Sequence, residues 1–183
     1  AEYLIKAGAP QFSLDDSISH RGTQPLTLTS ATSGATILYT LNGDDPVTAG
    51  VAYDPEAGIS LSTSTVVKAV CRKANMVDSA VITKSYSIPP IAAPPTIVPE
   101  SGTYASKQTV TITTAETDGT IYYTTDGTTK PSASCTKYSG PFDVEVNTIV
   151  KAVTVKAGYW DSDVAQKSYQ IRAAAPEFSP VAG

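Results

Sequence analysis

Two stretches, Leu26-Thr27-Leu28-Thr29 and Val110-Thr111-Ile112-Thr113, alternate apolar and polar residues at period two. That is the pattern of a strand with one face in a core and the other in water. The same alternation in Ile121-Tyr122-Tyr123 sends Ile121 and Tyr123 to one face and Tyr122 to the other. Tyr39 and Tyr123 stand at matching places, so both are expected to face a core. Thr, Val, Ile and Tyr suit a pleated, half-buried surface, whereas 12 Gly and 13 Pro leave no room for a helical window. Turn residues punctuate the strands. Asn42-Gly43 and Asp126-Gly127 each follow a strand and tolerate the positive φ of a tight hairpin. Asn75 and Gly158 are the residue types that most readily turn left-handed.

These signals occur twice. Thr36-Ile37-Leu38-Tyr39-Thr40 returns as Thr120-Ile121-Tyr122-Tyr123-Thr124, Val67-Lys68-Ala69-Val70 as Val150-Lys151-Ala152-Val153, and Ser85-Tyr86-Ser87-Ile88 as Ser168-Tyr169-Gln170-Ile171. A period of about 84 residues is too long for a solenoid rung and fits one small domain per repeat. Each copy reads as about seven short strands, the signature of an antiparallel β-sandwich. The Pro-rich stretch Ser87 to Pro95 reads as a semi-rigid spacer between the copies. The expected division is 9–90 for the first sandwich and 91–172 for the second. Glu2-Tyr3-Leu4-Ile5 looks like a further copy of the closing strand, which makes 1–8 the tail of a preceding repeat. Ala175-Pro176-Glu177-Phe178-Ser179 restarts Ala9-Pro10-Gln11-Phe12-Ser13, which makes 173–183 the start of a following one.

Charge narrows the partners. The formal net charge is −4, with five basic and seven acidic residues in 9–88 and six basic and eight acidic in 93–171. Neither copy has the clustered Lys and Arg that nucleic acid asks for. No apolar run approaches the roughly 20 residues of a membrane span, so direct membrane insertion is not expected. The two cysteines, Cys71 and Cys135, are not at equivalent positions, whereas a disulfide framework would recur in each copy. Cys71 reads as a small buried hydrophobe.

The second copy runs Gly102-Thr103-Tyr104, Val110-Thr111-Ile112, Gly119-Thr120-Ile121-Tyr122-Tyr123-Thr124-Thr125-Asp126-Gly127, Pro131, Tyr138, Lys151-Ala152, Gly158-Tyr159 and Ser168-Tyr169-Gln170-Ile171. This order resembles the chitobiase/β-hexosaminidase C-terminal-type module, also described as fibronectin type III-associated, over nearly the whole chain. The first copy departs from it at Leu41-Asn42 and at His20, which stands where the second has Tyr104; the second has the extra Lys130 before Pro131. The resemblance implies two tandem immunoglobulin-like sandwiches of a bacterial, extracytoplasmic protein, secreted or on the cell surface. Such modules accompany glycoside hydrolase catalytic domains or stand in tandem, and the family offers no catalytic residues to carry over. Neighbouring repeats or domains of the same polypeptide are the implied partners.

The chemistry available is sparse. The one histidine, His20, is missing from the second copy, so neither a histidine triad nor a recurring metal site is on offer. Asp15-Asp16, Asp44-Asp45 and Asp161/Asp163 read as solvated turn carboxylates. Asn42, Asp44 and Asp45 cluster oxygens that calcium could use, but the second copy keeps Asp126 alone, beside Lys130; the hairpin turn is the expected role. Thr109, Thr111 and Thr113 form a hydroxyl row that strand preference explains. No catalytic residue, metal site or cofactor is expected. Aromatic residues give the sharpest lead. Tyr159-Trp160 occupies a turn where the first copy has Met76-Val77, and Trp160 is the only tryptophan. Planar rings stack on the apolar faces of sugars, and Asp161 could fix orientation. Tyr159, Trp160 and Asp161 are therefore the candidate glycan contact, set against the alternative that one ring packs beneath the sandwich edge.

Overall fold

The computed structural model of the protein describes residues 5–172. Two compact units meet between Pro90 and Ile91. The first holds β1 (Pro10–Phe12), β2 (Gln24–Leu26), β3 (Leu28–Ser30), β4 (Thr36–Thr40), α1 (Pro46–Ala49), β5 (Val51–Ala52), β6 (Ile59–Leu61), β7 (Thr65–Arg72) and β8 (Ile82–Tyr86). The second holds β9 (Thr96–Val98), β10 (Gly102–Tyr104), β11 (Gln108–Thr113), β12 (Thr120–Thr124), β13 (Thr136–Lys137), β14 (Phe142–Val144), β15 (Thr148–Val155) and β16 (Ala165–Ile171).

Both units are immunoglobulin-like β-sandwiches. In the second, a sheet ordered β10-β16-β15-β12-β13 faces one ordered β14-β11-β9. All pairs are antiparallel except the edge pair β10–β16. In the first, β5-β4-β7-β8 forms the larger layer, and β2-β6 with β1-β3 forms the other. β2 and β3 together fill the place of β11. Between them the Thr27 amide donates to the Ser13 hydroxyl (2.9 Å) and the Thr27 carbonyl accepts from the Ser13 amide (3.1 Å), so the ladder is interrupted without leaving orphan groups. β10 shrinks in the first unit to one parallel bridge, Ser19 to Ser87.

The alternation places each core between its layers. Leu26, Leu28, Ile59 and Leu61 from one side meet Ile37, Val67, Ala69, Cys71 and Tyr86 from the other. In the second unit Ile97, Val110, Ile112 and Val144 meet Ile121, Val150, Ala152 and Tyr169. Tyr39 and Tyr123 pack against these clusters as the pattern requires. Cys71 is fully buried and, like Cys135, a free thiol. Asn75 (φ 63°) and Gly158 (φ 76°) are both left-handed.

Asn42-Gly43 does not close a two-residue hairpin. β4 pairs with β5 in the register Leu38–Ala52 and Tyr39–Val51, so residues 41–50 form a long connection. Gly43 turns it (φ 81°), the Asp45 carboxylate caps α1 through the Val47 amide (2.9 Å), and Pro46 is buried at the first helical turn. A proline there is pre-set for helix and for burial, which outweighs the local turn preference. The expected orphan strand at residues 2–5 lies outside the described residues apart from Ile5, as do residues 173–183. Of residues 5–8, Ala7 gives its amide to the Val77 carbonyl (2.9 Å), the Val77 amide bonds Ile5 (3.0 Å), and Ala7 joins the first core. Ile91 and Ala92 repeat this with Trp160, the Ala92 amide bonding the Trp160 carbonyl at 3.0 Å.

Candidate functional site

The turn that carries Tyr159 and Trp160 is built by backbone geometry common to both units. β15 ends at Val155; the Tyr159 amide folds back on the Lys156 carbonyl (3.2 Å), as the Met76 amide does on Lys73 (3.1 Å). The left-handed residue, Gly158 or Asn75, reverses the chain. A buried serine then closes the loop. Ser162 Oγ accepts from the Thr154 amide (2.8 Å) and donates to the Asp163 carbonyl (2.8 Å). Ser79 does the same with Cys71 (2.9 Å) and Ala80 (2.8 Å).

On this common scaffold the side chains diverge. Met76 packs against the first core and Val77 is exposed. Tyr159 is 37% exposed, while Trp160 is half-buried and Asp161 exposed. One ring therefore faces solvent and neither is a core residue. Tyr159 is not bare, because the Lys156 ammonium lies 4.4 Å from its ring centroid, a favourable cation–π placement. Lys156 is in turn paired with Glu116 Oε2 (2.8 Å), and Glu116 Oε1 accepts from the Ala93 amide (2.9 Å). The Lys156 hydrogen bond, then the Ala93 amide, hold the Glu116 carboxyl below its ordinary pKa; the same pair raises Lys156. Thr32 takes the role of Glu116 in the first unit, its hydroxyl accepting from the Gly8 amide at 2.8 Å.

The remaining candidates serve the fold. His20 Nε2 lies 2.6 Å from the Asp15 carbonyl, and Tyr104, its counterpart, donates to the Glu100 carbonyl at 2.6 Å. Two different rings thus reach back to tie down the segment before the same edge. Asp15 accepts from the Ser17 amide (2.9 Å) and hydroxyl (2.7 Å), and Asp16 pairs with Lys84 (2.8 Å). Asn42 and Asp44 bond each other, Nδ2 to Oδ2 at 2.6 Å. Asp126 accepts from Thr128 and Thr129, and those bonds pull its pKa down to about 2. Among the described residues no three His, Cys, Asp or Glu side chains gather to hold a metal. No helix among them is long and apolar enough to cross a membrane. The outward row Thr109, Thr111 and Thr113 is a strand face, with Thr109 bonded to Asp143 at 2.7 Å.

A pair of immunoglobulin-like sandwiches whose polar side chains mostly brace their own turns defines the class of module. The chain belongs to the family described as Chitobiase/beta-hexosaminidase C-terminal domain, whose sequence profile matches residues 19–83 and again 99–166. An endoglucanase of Clostridium saccharobutylicum is 58% identical over 40 residues, which are 22% of this chain and 9% of that protein. The chain thus spans a small part of that relative. Among solved structures, the fibronectin(III)-like modules of Clostridium thermocellum CbhA align over 100% of this chain and 96% of theirs, at 14% identity and a TM-score of 0.35. A biofilm-associated protein's BSP domain aligns over 92% of this chain and 30% of its own, at 15% identity and a TM-score of 0.26.

Proposed function

We propose that the chain is a non-catalytic accessory module of a larger extracytoplasmic protein, in which the two sandwiches space or present neighbouring repeats or domains. One observation carries this reading: side chains that could do chemistry are used in both units for the same fold-bracing tasks, as His20 and Tyr104 or Ser79 and Ser162 illustrate. The endoglucanase relative and the family's description support a glycan-degrading host. The repeat unit we propose starts at Lys6 and again at Ile91, because the ladders with Val77 and Trp160 begin there. The purified chain should leave aryl glycosides and soluble glucans unhydrolysed. Turnover that co-purifies with the chain and vanishes on thermal unfolding of the sandwiches would defeat the reading.

A second reading follows from the exposed Tyr159 ring: the turn of Tyr159, Trp160 and Asp161 contacts a glycan. A stacking ring contributes about 1 kcal/mol beyond its area burial, so Trp160→Ala should weaken binding about fivefold. Titrating chitin, cellulose and xylan oligosaccharides against parent and variant tests it. Equal binding by both, or none by either, removes the turn from consideration. Fluorescence of the lone tryptophan reports its solvent access in the same samples.

A further inference from the structure

The first unit holds a cleft of about 470 Å³ between the β3–β4 connection, with the strands that flank it, and the segment that follows β5. Thr29 of β3, Ser33 of the connection and Thr36 of β4 line it together with Tyr53 and Pro55. Its volume falls in the range of about 300–1,000 Å³ typical of small-molecule sites. Not one of its lining residues carries a charge. Among the described residues, the hydroxyls of Thr29, Ser33, Thr36 and Tyr53 are engaged in no hydrogen bond, so each offers a donor and acceptor to a ligand. Tyr53 is held edge-on against Tyr39, centroids 6.2 Å apart at 79°, which fixes its plane. Its amide is anchored to the Ile37 carbonyl at 2.8 Å.

The second unit provides an internal comparison. Its Tyr138 is anchored to Ile121 in the same way (2.9 Å), but the β11–β12 connection carries Glu116 and Asp118 where the β3–β4 connection has Thr32 and Gly34. Asp118 (φ 62°) and Gly34 (φ 69°) share the left-handed backbone that establishes the match. The fold therefore permits charge in this loop, and the first unit has none on the cleft wall. Lys73 does stand at its border, where the ammonium is tied to the Ser33 carbonyl at 2.6 Å.

We propose that this cleft is a binding site for a neutral saccharide, seated against the Tyr53 ring and bonded by the hydroxyls of Thr29, Ser33, Thr36 and Tyr53. A phosphate or carboxylate would need clustered cations or amides, whereas the Lys73 ammonium at the border is already tied to the Ser33 carbonyl, and a lipid would need dry walls. A neutral polyol matches an uncharged array of hydroxyls beside a fixed aromatic plane. The ligand class agrees with a glycan-degrading host, but the site is separate from the Tyr159 turn and stands or falls alone.

The test is a ¹⁵N-resolved titration of the full chain with cellohexaose and xylohexaose, using an oligogalacturonate as the acidic comparison. Neutral sugars should shift amides at 29–37 and 53. Thr29→Arg, which fills the cleft from an exposed strand position, should raise the Kd at least tenfold. Tyr53→Phe keeps the ring and its packing and should raise it about twofold to tenfold, the worth of one hydrogen bond. Spectra of both variants away from the cleft report that the fold is intact. Shifts confined to 156–163 would overturn the cleft while leaving the turn reading alive. No shift up to about 10 mM would overturn the cleft, since the corresponding affinity is below about 3 kcal/mol. Binding insensitive to both variants, or tighter for the acidic sugar, would also overturn the proposal.

Discussion

Replacing Ser162 by alanine removes a single oxygen from a site where that oxygen has a defined job. Ser162 is 4% exposed and Thr154 is fully buried. The hydroxyl accepts from the Thr154 amide at 2.8 Å and donates to the Asp163 carbonyl at 2.8 Å. In Ser162→Ala the Thr154 N–H keeps its burial and loses its acceptor, a penalty of about 1–3 kcal/mol. The volume change is too small to add a cavity term of similar size. For a domain of this size, about 1 kcal/mol moves Tm by about 4–8 °C, so the expected drop is about 4–24 °C. Thermal denaturation followed by circular dichroism measures it, and amide exchange at Thr154 localises it: that amide should lose protection out of proportion to its neighbours on β15. Ser79→Ala should repeat the effect in the first unit, where Ser79 Oγ accepts from Cys71 at 2.9 Å. Ser134→Ala, at an exposed loop hydroxyl, should stay within about 0.5 kcal/mol. A Ser162→Ala protein as stable as the parent, with Thr154 exchange unchanged, would show that the closing serine contributes nothing and that the turn is held by its backbone alone.

Further outcomes follow from other contacts. Gly158→Ala should cost about 1 kcal/mol because φ of 76° crowds a Cβ, while Asn75→Gly should be neutral or mildly stabilising; chemical denaturation compares them. Burial raises the Tyr86 and Tyr169 hydroxyls from 10.0 to about 12. The folded state holds these protons after the unfolded chain has released them, so stability should fall as pH rises from about 10 to about 12; alkaline melts that stay flat there would contradict this. Glu116 is shifted the other way, so its contribution is present above the ordinary glutamate pKa of 4.5 and lost as pH falls through its lower folded value. Glu116→Gln should remove that acid dependence and loosen Lys156 from Tyr159, seen as a changed Tyr159 ring shift.

The doubled sequence by itself determined the all-β class, the two-sandwich division, the core-facing Tyr39 and Tyr123, the burial of Cys71 and the left-handed turns at Asn75 and Gly158. Each depends on local chemistry: period-two alternation, or a backbone angle only certain residues reach. Repetition made that local evidence stronger, because unrelated residues such as Asn75 and Gly158 met the same demand. Partnerships across the fold were decided by tertiary structure. The sequence set His20 against Tyr104, but only packing showed both rings bonding a carbonyl upstream. Asn42-Gly43 reads as a hairpin in isolation, yet burial of Pro46 and the Asp45 cap stretch it into a ten-residue connection. Tyr159 and Trp160 were visible as aromatic residues in a turn, whereas Lys156 over the Tyr159 ring and the half-burial of Trp160 were not. The cleft beside Tyr53 left no sequence signal, since its walls come from segments about 20 residues apart that meet only when the β4–β5 ladder forms.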